Sequence, residues 1–349
     1  MGRKLFIAAA LLMLVLPVAL APLRADIPSY QANVAAANLT FTDAAEEAGL
    51  GAALTQWRDD LLTFAEEHLA FRTALITGRD KLLALIGESG NSQVVRGDGM
   101  LFYDEEMPDY LGRSSLPEDR LTGLADSLAE LSTDLAAEGR RLIVLLAPNK
   151  SSVYPEAVPP NYLPSEQPSN LVRLQEALGE RGVDVVDALS LLLAGKEEGR
   201  LYFANDTHWN ARGAELIYRA LMEALGWPVP YERIGYIEGK AGDLIVMAQP
   251  GTPPVEPDAS PDIQRAYRTA RPMRTLNDMR IETSTDADTL SLLVVRDSFG
   301  EGLFPYLANS VGRMVYSRVY EDLRGQAGQA EADVVVLEIV ERNIGTLTP

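Results

Sequence analysis

Four short apolar runs along the chain have the length and composition of strands that are buried on both faces. Each run is continuous and rich in Val, Leu and Ile, which is typical of the inner strands of a parallel sheet covered by helices. The runs are Arg141–Pro148, Val183–Asp187, Leu290–Asp297 and Ala332–Val340. The sequence therefore predicts a central sheet built from segments that are far apart along the chain.

Between these runs, apolar residues recur at spacings of three and four, which predicts amphipathic helices. One helix begins near Ser115, Pro117 and Glu118 and ends at Gly139, a second spans about 170–181, and a third spans Ala211–Leu225 before Gly226. Alternation of strands and helices at this spacing predicts an α/β fold with a parallel sheet and right-handed crossovers.

Two regions depart from this alternation. Residues 54–86 read as a helix whose apolar stripe includes His68, followed by a hairpin at Val94–Tyr103 around Gly97 and Gly99. The segment from 250 to 280 is rich in Pro, Asp and Thr, so we predict an irregular excursion or mobile loop there. The predicted organisation is a helical N-terminal extension (26–93) and a catalytic domain (94–349).

The N-terminus predicts export from the cytoplasm. Arg3 and Lys4 precede an apolar run from Leu5 to Ala21, the pattern of a signal peptide or signal anchor within residues 1–25. Pro22 directly follows a small-residue cleavage pattern and disfavours cleavage there. Both alternatives, a released protein and an anchored one, therefore stay possible.

Composition narrows the class of ligand. With 47% apolar residues, the 349-residue chain can bury a full core. The formal charge of −19 opposes affinity for nucleic acid, and the sequence shows no local basic groove for a polyanion. The absence of cysteine excludes disulfides, thiolate metal sites and cysteine nucleophiles.

Ser298 lies directly after the run Leu290–Asp297, where a helix can start. Ligands of open α/β sheets bind beyond the carboxyl ends of the strands, and backbone amides at such a turn can stabilise an oxyanion. Ser298 is therefore a candidate nucleophile, although Asp297 or Ser298 acting only as a helix cap is an equal alternative.

His208 is the candidate base for this serine, because the chain has one other histidine, His68, and that residue lies on an apolar helical face. Asp206 lies two residues earlier, a spacing that lets a carboxylate bond one imidazole nitrogen. The alternatives are structural: Asn210 as the cap of the next helix and Trp209 as a core aromatic. A metal site at Asp206 and His208 is the weaker interpretation, because no further histidine is nearby.

The segments "DTHWNARGA" (206–214) and "VVRDSFG" (294–300) resemble the SGNH-type acetyltransferase family that includes the periplasmic alginate O-acetyltransferases of the AlgJ and AlgX type. Matching stretches also occur at Arg96–Tyr103, Ala147–Glu156 and Asp333–Ile344. The resemblance implies a circularly permuted SGNH hydrolase-like fold, because the Asp/His block precedes the serine block here. It also implies Ser298 as nucleophile, His208 as base and Asp206 as its orienting acid, with no metal and no cofactor.

This chain departs from the superfamily pattern at two points. Arg296 stands where many members have glycine before Asp297 and Ser298. The superfamily has an asparagine in its oxyanion hole. In the corresponding stretch of this chain, Arg342 and Asn343 are the candidates for that role. Lys150 is a further candidate for contact with substrate or oxyanion, as is Arg296, although a solvated surface lysine is the competing interpretation for Lys150.

The resemblance implies an extracytoplasmic O-acetyltransferase that passes an acetyl group through an acyl-serine to a polysaccharide acceptor. In this family such enzymes work beside a membrane-bound O-acyltransferase, and an N-terminal anchor would suit that role. The negative charge favours a neutral glycan over a polyuronate. An acetyl esterase with the same triad is the alternative, followed by a non-catalytic glycan-binding scaffold.

Overall fold

The computed structural model describes residues 93–347, with gaps at 241, 249–252 and 288. The predicted export signal and the helical extension with His68 lie outside the described residues. Among the helices of the described part, none is long and apolar enough to span a bilayer.

The strands and helices alternate along most of this part. The strands are β1 (Val94–Arg96), β2 (Leu101–Tyr103), β3 (Arg141–Ala147), β4 (Asp184–Val186), β5 (Gly235–Lys240), β6 (Val255–Asp262), β7 (Arg268–Thr269), β8 (Arg280–Ser284), β9 (Ser291–Val295), β10 (Arg313–Ser317) and β11 (Val334–Val340). The helices are α1 (Met107–Tyr110), α2 (Glu118–Ala137), α3 (Lys150–Val153), α4 (Asn170–Glu180), α5 (Ala188–Gly195), α6 (Ala211–Leu225), α7 (Asp243–Ala248), α8 (Gly300–Ser310) and α9 (Leu323–Ala330). All four apolar runs and all three amphipathic segments in this part occur where the sequence predicts them.

A seven-stranded sheet with the order β4-β3-β11-β9-β10-β8-β7 forms the centre of the fold. The five strands from β4 to β10 are parallel, whereas β8 and β7 add antiparallel at one edge. The predicted α/β class with a central sheet is therefore confirmed. The antiparallel edge was not predicted, because β8 is polar and exposed at alternate positions and lacks the apolar signature of the inner strands.

Alternate residues of each inner strand enter two separate cores. Ile143 and Leu145 of β3 face the core that α5, α6 and α8 cover, and Leu142 and Val144 face the core that α2, α4 and α9 cover. Burial on both faces explains why these strands read as unbroken apolar runs.

Strands occupy part of the segment from 250 to 280, for which the sequence predicts an irregular excursion, while residues 263–267 and 270–279 lie outside helices and strands. Strand β6 pairs antiparallel with β5 in a two-stranded ribbon, and β7 joins the edge of the main sheet. Within β6 only Glu256 is buried. A ribbon that buries so little surface needs no apolar alternation, so its sequence resembles that of a loop.

Candidate active site

Ser298 lies at the turn between β9 and α8, beyond the carboxyl end of an inner parallel strand. The Ser298 carbonyl accepts the amide N–H of Glu301 at 3.1 Å, and Asp297 Oδ1 accepts that of Phe299 at 2.9 Å. Both bonds fix the turn in the position where α/β sheets bind ligands. Within the described residues, Ser298 Oγ makes no hydrogen bond, so it is available for chemistry.

Asp206 and His208 lie in a tight turn whose two arms pair with each other. The amide of Phe203 donates to the His208 carbonyl at 3.1 Å, and the amide of Asn210 donates to the Leu201 carbonyl at 2.9 Å. Asn210 also caps α6, because its Oδ1 accepts the amide of Gly213 at 3.1 Å. Trp209 is a buried core aromatic. Both structural interpretations of this stretch are therefore correct. The helix cap and the core aromatic position the Asp/His pair and do not replace its proposed role.

The side chains of Asp206 and His208 form a hydrogen-bonded pair. Asp206 Oδ1 lies 2.7 Å from His208 Nδ1, and Asp206 Oδ2 accepts the amides of Gly242 at 2.9 Å and Asp243 at 3.0 Å. These contacts fix the carboxylate and, through it, the imidazole ring. His208 Nε2 is buried and has no partner among the described residues. The pair thus offers a basic nitrogen of defined orientation.

The electrostatics of the pair favour a charged imidazolium next to a carboxylate. Burial lowers the pKa of His208, but the hydrogen bond and charge of Asp206, together with Asp243, raise it more, so the net pKa lies above the ordinary value. Burial raises the pKa of Asp206, but the hydrogen bond and charge of His208 outweigh it, and the net pKa lies below the ordinary value. Asp206 is therefore ionised when His208 takes up a proton.

A cavity of about 500 Å³ brings the three predicted catalytic residues together: Asp206, His208 and Ser298 all line it. The Phe299 ring, next to Ser298 in sequence, packs against the His208 ring with centroids 4.9 Å apart. Much of the remaining wall is apolar and comes from two segments, which contribute Pro261, Tyr267, Met273 and Leu276 and, further along the chain, Phe304 and Pro305.

Glu256 supports the turn that carries Asp206, a role that sequence reasoning missed. Its Oε2 accepts the Arg200 guanidinium at 2.7 Å and the Ala204 amide at 3.1 Å, and its Oε1 accepts the Asn205 amide at 2.8 Å. No local spacing signals this contact, because Glu256 follows the turn by about fifty residues and belongs to the ribbon strand β6.

We expect Glu256→Ala to lower the free energy of unfolding by about 3 kcal/mol, since it leaves a guanidinium, one buried amide and one half-buried amide without their acceptor. The matched control is Glu282→Ala, which breaks the exposed pair with Arg280 and should cost less than about 1 kcal/mol. Denaturant unfolding of both variants measures the difference, and equal costs would contradict this assignment.

Arg342 and Asn343, the candidates for the oxyanion position, lie behind the Ser298 turn. The Arg342 guanidinium stacks 5.5 Å from the Phe299 ring and 5.5 Å from the Tyr103 ring. Asn343 Nδ2 points to Asp297 Oδ2 at 3.4 Å. Neither residue is part of the described cavity lining, so both are placed to support the turn, and their contact with an oxyanion stays a prediction.

Lys150 is completely buried, so its interpretation as a solvated surface lysine is wrong. Its amine donates to the Leu101 carbonyl and lies 5.6 Å from the Phe102 ring centre. Burial lowers the pKa of Lys150 to about 8, against the opposing charges of Glu106 and Asp206. An amine bonded in this way joins β2 to α3 and does not line the cavity.

Arg296 is likewise completely buried and does not line the cavity. Its guanidinium donates to the carbonyls of Asp297 and Leu276 and lies 3.4 Å from Glu301 Oε1. Since Leu276 and Glu301 are cavity residues, Arg296 joins two parts of the wall to the end of β9. This geometry therefore gives Arg296 no direct contact with substrate.

Three potential metal ligands occur together among the described residues. Ligand atoms of Asp206, His208 and Asp243 all lie within 4.8 Å of one another. The contact of 2.7 Å between Asp206 and His208 Nδ1 is that of a hydrogen bond, and Asp243 Oδ1 is engaged by the Thr207 amide at 2.7 Å. The arrangement is that of a hydrogen-bonded acid/base cluster.

Fold and site together define an α/β protein with a serine at a strand-to-helix turn and an Asp/His pair at a second turn, in the chain order Asp, His, Ser. Residues 94–315, more than half of the chain, match the family described as "SGNH hydrolase-like domain, acetyltransferase AlgX". The chain belongs to this family, and the predicted family membership is confirmed.

Curated relatives agree with this membership. The chain is 26% identical over 151 residues to the "Probable alginate O-acetylase AlgJ" of Pseudomonas syringae pv. tomato, covering 42% of this chain and 37% of the relative. The protein of the same name from Pseudomonas aeruginosa is 28% identical over 142 residues, covering 39% and 34%. The matched region thus spans little more than a third of these relatives.

Two solved structures share the fold. Bacillus cereus PatB1 aligns with a TM-score of 0.54 at 15% identity, covering 72% of this chain and 96% of that protein. A DHHW family protein from Eubacterium siraeum aligns with a TM-score of 0.53 at 14% identity, covering 73% and 92%. At such low identity the likeness establishes the fold alone.

Proposed function

We propose that this protein is an extracytoplasmic O-acetyltransferase that moves an acetyl group through an acyl-serine at Ser298 to a hydroxyl of a polysaccharide. One observation carries the proposal: the Asp206–His208 pair, joined at 2.7 Å with Nε2 unpartnered, shares a cavity with the free hydroxyl of Ser298. Family membership and the names of the curated relatives support the acetyl group as the cargo.

In the first half-reaction, His208 Nε2 accepts the proton of Ser298 Oγ while Oγ attacks the carbonyl carbon of the acetyl donor. The Asp206 carboxylate stabilises the imidazolium that forms. The developing oxyanion forms beside the N-terminus of α8, whose helix dipole stabilises negative charge. The leaving group takes the proton from His208, and the acetyl group stays on Ser298.

In the second half-reaction, His208 removes the proton from a sugar hydroxyl, whose oxygen attacks the acetyl-serine. Ser298 Oγ then leaves and recovers its proton from His208, so that the enzyme returns to its starting state. Water could take the place of the sugar, which would make the protein an esterase. The apolar wall formed by Tyr267, Met273, Leu276 and Phe304 favours transfer, because it limits water near the acyl group.

Exposed arginines near the cavity bear on the charge of the acceptor, because the whole chain carries a charge of −19. Five arginines are exposed along the segment that supplies one cavity wall: Arg265, Arg268, Arg271, Arg274 and Arg280. Three of them pair with carboxylates, whereas Arg265 and Arg271 form no ion pair within the described residues. None of the five arginines lines the cavity, whose acidic lining residues include Asp206 and Glu301, so a neutral glycan stays the expected acceptor.

A membrane-bound O-acyltransferase as the source of acetyl groups, and an N-terminal signal or anchor in the envelope, belong to this proposal through the family resemblance. The apolar run Leu5–Ala21 supports export.

The test is to incubate the full-length protein with p-nitrophenyl acetate, with and without neutral oligosaccharides and uronate oligosaccharides. We expect acetylated sugar to form and to depend on the acceptor. Acetate release that no acceptor changes would assign an esterase. Absence of turnover together with binding of glycan would assign a scaffold and overturn the proposal. Comparison of the two acceptor types decides whether the site takes a neutral or an acidic glycan.

A further inference from the structure

A pair of acids, the half-buried Asp297 and the buried Glu338, adjoins Ser298 and has no part in the two half-reactions. Glu338 belongs to β11, between β3 and β9, and its side chain is completely buried. Its Oε2 accepts the amide of Asp297 at 3.0 Å, whereas no group among the described residues donates a hydrogen bond to its Oε1. An ionised carboxylate with a bare oxygen in a strand core is costly.

The Asp297 carboxylate, in contrast, has several hydrogen-bond donors. It accepts the amide of Phe299 at 2.9 Å, the amide of Val340 at 2.8 Å and the Asn343 side chain at 3.4 Å. Glu338 receives a single amide, so a proton on its second oxygen removes the cost of a bare buried carboxylate and supplies a donor to Asp297. Glu338 thus serves as the donor of the pair and Asp297 as the acceptor.

The charged and titratable groups around Glu338 agree with this division. Burial, followed by the charge of Asp297, raises the pKa of Glu338 well above its usual value, and a side-chain hydrogen bond with Asp297 adds to the effect. Arg296, at the end of β9, opposes it, but its guanidinium is directed to the carbonyls of Asp297 and Leu276. From the side of β10, Tyr316 donates to the Gly300 carbonyl and Tyr320 to the Glu338 backbone carbonyl.

We propose that Glu338 is a positioning residue for Ser298: as a neutral carboxylic acid it holds both the amide and the carboxylate of Asp297, and so fixes the turn that presents the nucleophile. The inference rests on the proposed role of Ser298. Ionisation of Glu338 places two carboxylates side by side, which repel each other and loosen the turn.

The test compares Glu338→Gln, which keeps a donor and an acceptor in the same shape, with Glu338→Ala, which keeps neither. The rate of Ser298 acylation by p-nitrophenyl acetate is measured against pH in full-length protein. At neutral pH we expect Glu338→Gln to stay within about threefold of wild type and Glu338→Ala to lose about tenfold or more, since small displacements of a reacting atom are costly. At high pH wild type should lose rate, and Glu338→Gln should not.

An infrared difference spectrum, wild type minus Glu338→Gln at neutral pH, reports the proton directly. We expect the C=O stretch of a protonated carboxyl group. A carboxylate band in its place overturns the inference whatever the activity. Acylation in Glu338→Ala at the wild-type rate and pH profile also overturns it. If Ser298→Ala is acylated as fast as wild type, the proposed function fails instead. In that case the infrared band, together with hydrogen exchange of the Asp297 and Val340 amides, still shows whether the acid pair holds the turn.

Discussion

Replacement of Ser298 by alanine is expected to reduce acetyl transfer by about 10⁴-fold or more, because it removes the atom that carries the acyl group. His208→Ala should cause a loss of similar size, since without the base Ser298 Oγ remains protonated. The double variant should be hardly worse than either single variant, because the two residues act as one unit. Transfer from p-nitrophenyl acetate to oligosaccharide measures all three.

The control for this series is Ser127→Ala, which removes a hydroxyl that bonds only to the Gly123 carbonyl on α2. It should leave transfer unchanged. Circular dichroism of each variant separates lost chemistry from lost folding. Full transfer by folded Ser298→Ala would show that the nucleophile lies elsewhere.

Asp206→Asn is expected to lower acylation of Ser298 by about 10²- to 10⁴-fold. An amide keeps the shape of the side chain but presents no charge to the imidazolium, and it can hold the ring in the wrong tautomer. The approximate size follows from serine hydrolases, in which the same replacement costs about 10⁴-fold. Because Asp206 also accepts the amides of Gly242 and Asp243, part of the effect comes from a looser turn.

The pH profile separates these two contributions. The neutral form of His208 is the base, and its pKa is raised in spite of burial because Asp206 stabilises the charged ring. In wild type, acylation should therefore rise with pH at a midpoint above the ordinary histidine value. Without the carboxylate, burial dominates and the midpoint should move to lower pH. The control Asp184→Asn, which breaks an exposed pair with Arg141, should keep the wild-type profile, and an unmoved midpoint in Asp206→Asn would contradict the pairing.

The sequence predicts those parts of the fold that depend on local pattern. The inner strands are buried on both faces and therefore appear as apolar runs, and α6 has the predicted bounds Ala211–Leu225 because Asn210 and Gly226 mark its ends. Ser298, His208 and Asp206 could be singled out because few residues in a cysteine-free chain with two histidines can perform nucleophilic catalysis.

Other features depend on contacts between distant segments and leave no local signal. A lysine after an apolar strand reads the same whether it is solvated or, as Lys150 is, enclosed. Glu256 appears in the sequence as one acid in a polar stretch, and its bonds to the Asp206 turn arise only when β6 folds back across it. Arg296 and Glu338 are charged residues within strand-like runs, and their burial around Asp297 follows from the neighbouring strands, not from their own spacing.

The most direct test of the central claim is acid quenching of the full-length protein during turnover of p-nitrophenyl acetate, followed by peptide mass spectrometry. The acetyl group should be found on Ser298, should be absent in His208→Ala, and should disappear from wild type when an oligosaccharide acceptor is added before the quench. An acetyl group on another residue, or turnover without any acetylated peptide, would contradict the assignment of Ser298 as the nucleophile activated by His208.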